Sequence, residues 1–137
     1  TFASQDSDIW VSTRTSADGQ WTSPQKVSGG INSDRAEFSP ALSADGNTMY
    51  FASERGGSVE LWVAKRASRS DEWGVPEKLG AANTPLAMTL APFLSSDQRS
   101  LYFMSARPER AAVACTPMTC FDRLDLYVAS ARCPDSR

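Results

Sequence analysis

Residues 39–55 read SPALSADGNTMYFASER, and residues 91–107 read APFLSSDQRSLYFMSAR. The second stretch follows the first at a distance of 52 residues and keeps its Pro, Ser-x-Asp, Tyr-Phe, Ser and Arg in register. Self-similarity at a fixed period of this size is the sequence signature of a repeat architecture. The 137-residue chain therefore predicts several copies of one small structural unit.

The same shift aligns residues on both sides of this core. The matched pairs are Trp10 and Trp62, Val11 and Val63, Arg14 and Arg66, Trp21 and Trp73, Pro24 and Pro76, and Lys26 and Lys78. A third copy of the Trp10 segment reads DLYVASAR at residues 125–132, where an insertion displaces it. Aromatic residues that recur once per unit predict packing between units. This prediction covers Trp10, Trp21, Trp62, Trp73 and Tyr127.

Each unit divides into four short runs with the composition of strands. In the central copy these are EFSPALS, TMYFAS, ELWVAKR and a final short run at EKL. Asp45 and Gly46 stand between the first two runs, and Asp-Gly is a strong hairpin signal. The next copy has SSDQRS where the first has SADGNT, which predicts a different turn type there. No segment of useful length shows helical periodicity.

Four antiparallel strands in about fifty residues form one blade of a β-propeller. The chain is therefore predicted to be all-β and propeller-like, a single repeat domain (1–137) of about three four-stranded antiparallel blades. Residues 1–33 supply the end of the first blade, residues 34–85 the second, and residues 86–137 the third with an insertion at 108–124. A β-sandwich is the alternative, but a sandwich has no reason to repeat its sequence.

Three blades are fewer than the four to eight with which propellers usually close. Two explanations stay open: the chain is a partial propeller within a longer one, or copies of it assemble until the ring closes.

The repeat core resembles a known family. The pattern S-P-x-x-S-x-D-G-x-x-x-x-F-x-S at residues 39–53, followed by ELWVAKR and W-x-x-P-x-K-L, is similar to the WD-like β-propeller repeat of the TolB type. The resemblance covers nearly all of the chain except residues 108–124. It implies a bacterial envelope protein, periplasmic or secreted, because such propellers often accompany peptidoglycan-binding domains there.

Composition narrows the classes of function. The 14 Lys and Arg residues against 16 Asp and Glu residues give a net charge of −2, which does not suit a nucleic-acid footprint. No apolar run approaches the ~18 residues of a membrane span. The chain has no His, so the commonest general base is missing. We therefore expect no nucleic-acid partner, no membrane span, no metal site, no cofactor and no catalytic residues.

Candidate ligand-binding residues lie in two places. The first is the start of each innermost strand, near the axis of a propeller, with Asn32, Arg35, Glu37 and Asn83. The second is the insertion in the third copy, because insertions in repeats map to loops that often bind partners. Its candidates are Arg107, Glu109 and Arg110.

Two further predictions concern charges and cysteines. Asp8, Glu60 and Asp125 recur at one position, and Arg55 and Arg107 at another, which predicts a structural ion pair between acid and arginine in each blade. Cys115 and Cys120 could form a disulfide in an oxidising compartment, but a third cysteine, Cys133, leaves three pairings open.

Three hypotheses of function follow. The first is a noncatalytic binding or scaffold module that engages a protein partner or an envelope component through loops at one face of the ring. The second is a propeller-type enzyme, a glycosidase or a lyase. The third is a self-assembling protein that forms a ring as a homo-oligomer.

Overall fold

The computed structural model describes residues 7–80, 82–107 and 124–130. Within these ranges the chain forms β-strands and turns without a helix. The strands are β1 (Trp10–Val11), β2 (Gln25–Lys26), β3 (Glu37–Leu42), β4 (Thr48–Ser53), β5 (Glu60–Lys65), β6 (Glu77–Lys78), β7 (Thr89–Leu94), β8 (Ser100–Ser105) and β9 (Asp125–Ser130).

The strands form three antiparallel sheets in chain order. Sheet 1 has the order β1-β2, sheet 2 the order β3-β4-β5-β6, and sheet 3 the order β7-β8-β9. Strands β7 and β8 begin 52 residues after β3 and β4, so the repeat in the sequence is a repeat of strands. The predicted all-β, partial propeller-like fold is confirmed. Sheet 2 has all four strands of a blade, whereas sheets 1 and 3 have two and three within the described ranges.

The first strand of each copy carries the same irregularity. The pairing of β3 with β4 shifts between Phe38 and Ala41, and that of β7 with β8 shifts between Leu90 and Phe93. A residue with positive φ lies inside each shift, at 53° for Ser39 and 52° for Ala91. Each is followed by a proline, which a sheet tolerates at an edge strand or a bulge. Strands β3 and β7 are the edge strands of their sheets.

The two hairpin turns are alike, so the predicted difference between them is wrong. Gly46 has a φ of 75°, and Gln98 at the equivalent position has a φ of 59°. In both turns an aspartate accepts a hydrogen bond from a serine hydroxyl two residues earlier. This bond lowers the pKa of Asp45 and of Asp97 below the usual value, and a backbone N–H donor acts in the same direction. The serine–aspartate pair preserves the turn without the glycine.

Two apolar layers hold the three sheets in a stack. The layer between sheets 1 and 2 consists of Ile9, Ile31, Met49, Phe51, Ala64 and Trp73. The layer between sheets 2 and 3 consists of Ala52, Val59, Leu61, Ala82, Met88, Leu101, Phe103 and Ala106. Because successive side chains of a strand point to opposite faces, Phe51 packs towards sheet 1 and Ala52 towards sheet 3. Sheet 2 is therefore buried on both faces.

The predicted packing of the recurring aromatic residues is confirmed in sheets 2 and 3. Trp73 is 8% exposed in the layer between sheets 1 and 2, with Trp62 packed against that layer. Tyr127 packs against the layer between sheets 2 and 3, and within sheet 3 it stacks on Phe103 with ring centroids 6.0 Å apart. Gly29 makes room for Trp73, because a Cβ on Gly29 would lie 2.5 Å from the Trp73 carbonyl oxygen.

In sheet 1 the same prediction is wrong. Trp21, the repeat equivalent of Trp73, is 61% exposed, and Trp10, the equivalent of Trp62, is also exposed. The physical reason is the absence of a neighbour, since no described sheet lies against that face of sheet 1.

We expect the substitution Trp73→Ala to lower the free energy of unfolding by about 3–5 kcal/mol, because it empties a buried aromatic site. The matched control is Trp21→Ala, which removes the same side chain at the equivalent exposed position and should cost about 1 kcal/mol or less. Urea unfolding followed by far-UV circular dichroism measures both values. Equal losses for the two variants would contradict the stacking order described above.

Candidate functional site

A buried carboxylate marks the start of β3, the first strand of sheet 2. Glu37 is 1% exposed. Its carboxylate accepts hydrogen bonds from the backbone N–H and the hydroxyl of Ser33, at 2.8 and 2.6 Å, and from the Ser53 hydroxyl at 2.6 Å. The guanidinium of Arg55 lies 3.2 Å away. We call Ser33, Glu37, Ser53 and Arg55 the first polar cluster.

The arginine of this cluster also has aromatic and backbone contacts. Its guanidinium carbon lies 5.3 Å from the ring centres of both Phe51 and Trp62. It donates hydrogen bonds to the carbonyl oxygens of Gly30 and Ile31, at the link from sheet 1. A charge that is buried with its counter-ion and several hydrogen bonds is stable in place. The first polar cluster therefore ties sheet 2 to the preceding link.

Sheet 3 repeats the serine and the arginine of the cluster and changes the two other positions, since Pro85 aligns with Ser33 at the 52-residue shift. Thr89 stands at the position of Glu37, and its hydroxyl lies 3.1 Å from that of Ser105, the equivalent of Ser53. Arg107, the equivalent of Arg55, donates to Ser105 and to the carbonyl oxygen of Ala82. Its guanidinium carbon lies 5.2 Å from the Phe103 ring centre and 4.5 Å from that of Tyr127. We call Thr89, Ser105 and Arg107 the second polar cluster.

The two clusters differ in charge. The cation of Arg55 is balanced by Glu37, whereas Thr89 offers Arg107 only a hydroxyl. Across residues 7–80, 82–107 and 124–130, the ion pairs are Lys26 with Asp8, Arg55 with Glu37, and Lys78 with Glu60. Arg107 is half-buried and is not among them. In the second polar cluster the cation of Arg107 is thus held against two aromatic rings.

The two candidate asparagines each join a link between sheets to the backbone of a preceding strand region. The Asn32 side chain accepts from the Ile9 N–H at 2.7 Å and donates to the Ile9 carbonyl oxygen at 3.1 Å. Asn83 makes the same pair of bonds with Leu61, both at 2.8 Å. An amide side chain has both a donor and an acceptor and can therefore pair with a strand as another strand would.

The remaining candidates are separate from these contacts. The Arg35 side chain is exposed, and its backbone N–H donates to the Ser33 hydroxyl at 3.1 Å. Glu109, Arg110, Cys115 and Cys120 lie outside the described residues. The structure thus brings Asn83 and Arg107 together at the link between β6 and β7, where Arg107 binds the Ala82 carbonyl oxygen, and it places Asn32 in the equivalent link between β2 and β3, with Glu37 directly after it. A ligand-binding role for these residues stays a prediction.

The predicted partner of the recurring acid is wrong. Asp8 pairs with Lys26 at 2.7 Å and Glu60 with Lys78 at 2.6 Å, so these two acids bind a lysine of the neighbouring strand, whereas Asp125 has no ion pair among the described residues. The recurring arginine instead pairs with Glu37 in sheet 2. The reason is geometric. Lys26 pairs with Trp10 and Lys78 with Trp62, and each acid lies two residues before that tryptophan.

The described residues offer no group of three or more His, Cys, Asp or Glu side chains that could hold a metal ion. They also contain no helical segment with the length and hydropathy needed to cross a lipid bilayer. What the second polar cluster can do chemically is to hold an anion, because a planar guanidinium donates several hydrogen bonds and stacks on aromatic rings.

The fold and the site together define a class, which is an all-β, propeller-like stack of antiparallel sheets. Each of its two larger sheets has a polar cluster at the start of its first strand. Comparisons with protein-family models, with curated proteins and with solved structures find no match to the chain.

The exchange of a carboxylate for a hydroxyl is a signal that the sequence contains but that repeat matching hides. At the 52-residue shift Glu37 aligns with Thr89, which is a mismatch. A repeat is recognised by its matching residues, so this position does not stand out. The partners of that position, Ser53 with Ser105 and Arg55 with Arg107, do match. Mismatches at Ser33 and Glu37, beside a matched serine and a matched arginine, are the pattern that would have identified the site.

We expect Glu37→Gln to lower the free energy of unfolding by about 3 kcal/mol or more, because it leaves the Arg55 cation without its buried counter-ion. The matched control at the equivalent position is Thr89→Val, which removes one neutral hydrogen bond and should cost about 1 kcal/mol. Urea unfolding of the three proteins measures the difference. A smaller loss for Glu37→Gln than for Thr89→Val would contradict a structural role for the first polar cluster.

Proposed function

We propose that the chain is a noncatalytic β-propeller binding module, which engages a protein partner or an envelope component through an acidic group that docks on Arg107. The observation that carries the proposal is the loss of the carboxylate at Thr89, while the serine and the arginine that surround it are retained. A cation that its own sheet does not neutralise is suited to receive a counter-ion from outside.

The surroundings of Arg107 support anion binding. Contact with Phe103 and Tyr127 restricts the side chain, and hydrogen bonds to Ser105 and Ala82 fix two of its nitrogen atoms. A side chain that is already ordered loses less conformational entropy when it binds. A carboxylate partner would then gain a charge-assisted hydrogen bond in a partly desolvated place. The interaction should weaken as the salt concentration rises.

A noncatalytic role fits the side chains that are present. The chain has no His, which is the commonest general base, and the buried carboxylate of Glu37 is already engaged by Ser33, Ser53 and Arg55. The resemblance of residues 39–53 to TolB-type repeats supports a bacterial, periplasmic or secreted setting as part of the same proposal.

The proposal is tested with a penta-glutamate peptide as the probe and the side-chain Nε–H signals of the arginines in ¹⁵N-labelled protein as the readout. We expect the Arg107 signal to move to saturation while that of Arg55, which Glu37 already neutralises, stays in place. The variant Thr89→Glu supplies an internal carboxylate and should weaken peptide binding at least about tenfold, which corresponds to about 1.4 kcal/mol.

The matched control is Thr89→Gln, which has nearly the same size as the glutamate variant but no charge. It should bind the peptide as the wild type does. Equal movement of the Arg55 and Arg107 signals, or unchanged binding by Thr89→Glu, would show that the peptide responds to overall charge and not to this site.

A further inference from the structure

An apolar face on sheet 3 points away from sheet 2. The pairings of β7, β8 and β9 place Phe93, Tyr102 and Val128 in one row across the three strands. Leu126 lies beside the row on the same side, because it stands two residues before Val128 on β9. All four side chains are exposed, with Leu126 at 72%. A contiguous apolar face of this kind marks an interaction surface. We call these four residues the front face of sheet 3.

The same positions in the other sheets show what normally covers such a face. Leu61 in sheet 2 is the repeat equivalent of Leu126, and it is 0% exposed in the layer that includes Phe103 of sheet 3. Ile9 in sheet 1 is the next equivalent, and it is buried in the layer that includes Trp73 of sheet 2. Twice within one molecule, therefore, this position is covered by the opposite face of the following sheet.

The chain also exposes residues equivalent to those that pack over Ile9 in the layer between sheets 1 and 2. Trp10 and Trp21 of sheet 1 are the equivalents of Trp62 and Trp73, which cover Ile9, and both are exposed. Trp21 has the same kind of arginine contact as its buried equivalent. The guanidinium of Arg14 lies 4.5 Å from its ring centre, and that of Arg66 lies 4.2 Å from the ring centre of Trp73. We call Trp10 and Trp21 the back face of sheet 1.

We propose that the front face of sheet 3 binds the back face of sheet 1 of a second copy of this chain, head to tail. In this contact Trp10 and Trp21 of one copy cover Leu126 and Val128 of the other, as Trp62 and Trp73 cover Ile9 within one copy. The two faces are different surfaces of the same molecule, so the contact is heterologous and each copy retains one open face. Repetition of the contact gives a ring if the rotation per copy closes, and a filament if it does not.

A second copy is the occupant that the structure favours, because both halves of the contact are present on the chain. The layer between sheets 1 and 2 is the template, because Trp73 and Trp62 of sheet 2 pack there with Ile9 of the preceding sheet, together with Met49 and Phe51. The inference does not depend on the proposed function. Arg107 stacks on Phe103, which packs towards sheet 2 and hence lies on the opposite side of sheet 3 from the front face.

The test uses one variant for each face of the 137-residue chain. Leu126→Lys disables the front face and Trp10→Lys the back face, and both residues are exposed, so each variant should fold. We expect the mass of the wild type, measured by light scattering on a size-exclusion column, to rise with concentration above that of one copy. Each variant alone should remain a monomer where the wild type assembles, with association at least about tenfold weaker, because a lysine in an apolar contact must lose its hydration.

An equimolar mixture of the two variants discriminates further. The intact back face of the Leu126→Lys chain can bind the intact front face of the Trp10→Lys chain, so the mixture should form a dimer and nothing larger. The matched control is Val75→Lys, which is exposed in a loop outside both faces and should assemble as the wild type does. A wild type that stays monomeric at every concentration overturns the proposal. A mixture that stays monomeric, or assembly that both face variants retain, overturns it as well.

Discussion

A sheet with two apolar faces cannot bury both of them alone, and this constraint determines the whole arrangement. Sheet 2 buries Phe51 against sheet 1 and Leu61 against sheet 3, so its stability comes from its two neighbours. Burial of apolar surface stabilises by roughly 25 cal/mol per Å², which makes these two layers the main favourable contribution. The strands themselves are short, and β1, β2 and β6 have only two residues each. Such strands persist because packing holds them in place.

The first strand of each larger sheet depends on a different interaction, which is hydrogen bonding of the polar groups buried at its start. Glu37 shows the cost and the solution, since a buried carboxylate requires a cation and several donors. Sheet 3 reaches the same backbone geometry with Thr89, a neutral residue that needs only one hydroxyl partner. The carboxylate is therefore not required by the fold. What the exchange alters is the charge around Arg107, so the two copies share a structure and differ in what they can attract.

The sequence predicts the repeat of strands well because the positions that define it are local. Alternating apolar residues, the prolines of β3 and β7 and the Ser-x-Asp turns all act within a few residues. Burial is not local. Trp21 and Trp73 match in sequence and differ in exposure because, within the part of the chain that the structure describes, a sheet lies against Trp73 and none against Trp21. The turn at Gln98 shows the reverse error, because the loss of a glycine conceals a turn that Asp97 preserves through its hydrogen bonds.

Nearest-neighbour packing also determines where binding can alter stability. In a repeat protein the total stability is approximately the sum of terms for each unit and for each contact between units. Sheet 1 is attached to sheet 2 by Ile9 in the shared apolar layer and by the hydrogen bond from the Glu37 N–H to the Ser7 carbonyl oxygen. A sheet that docks on an outer face adds one more contact of the kind already present twice. The proposed contact between two copies would therefore add to the stability of the fold in the same way.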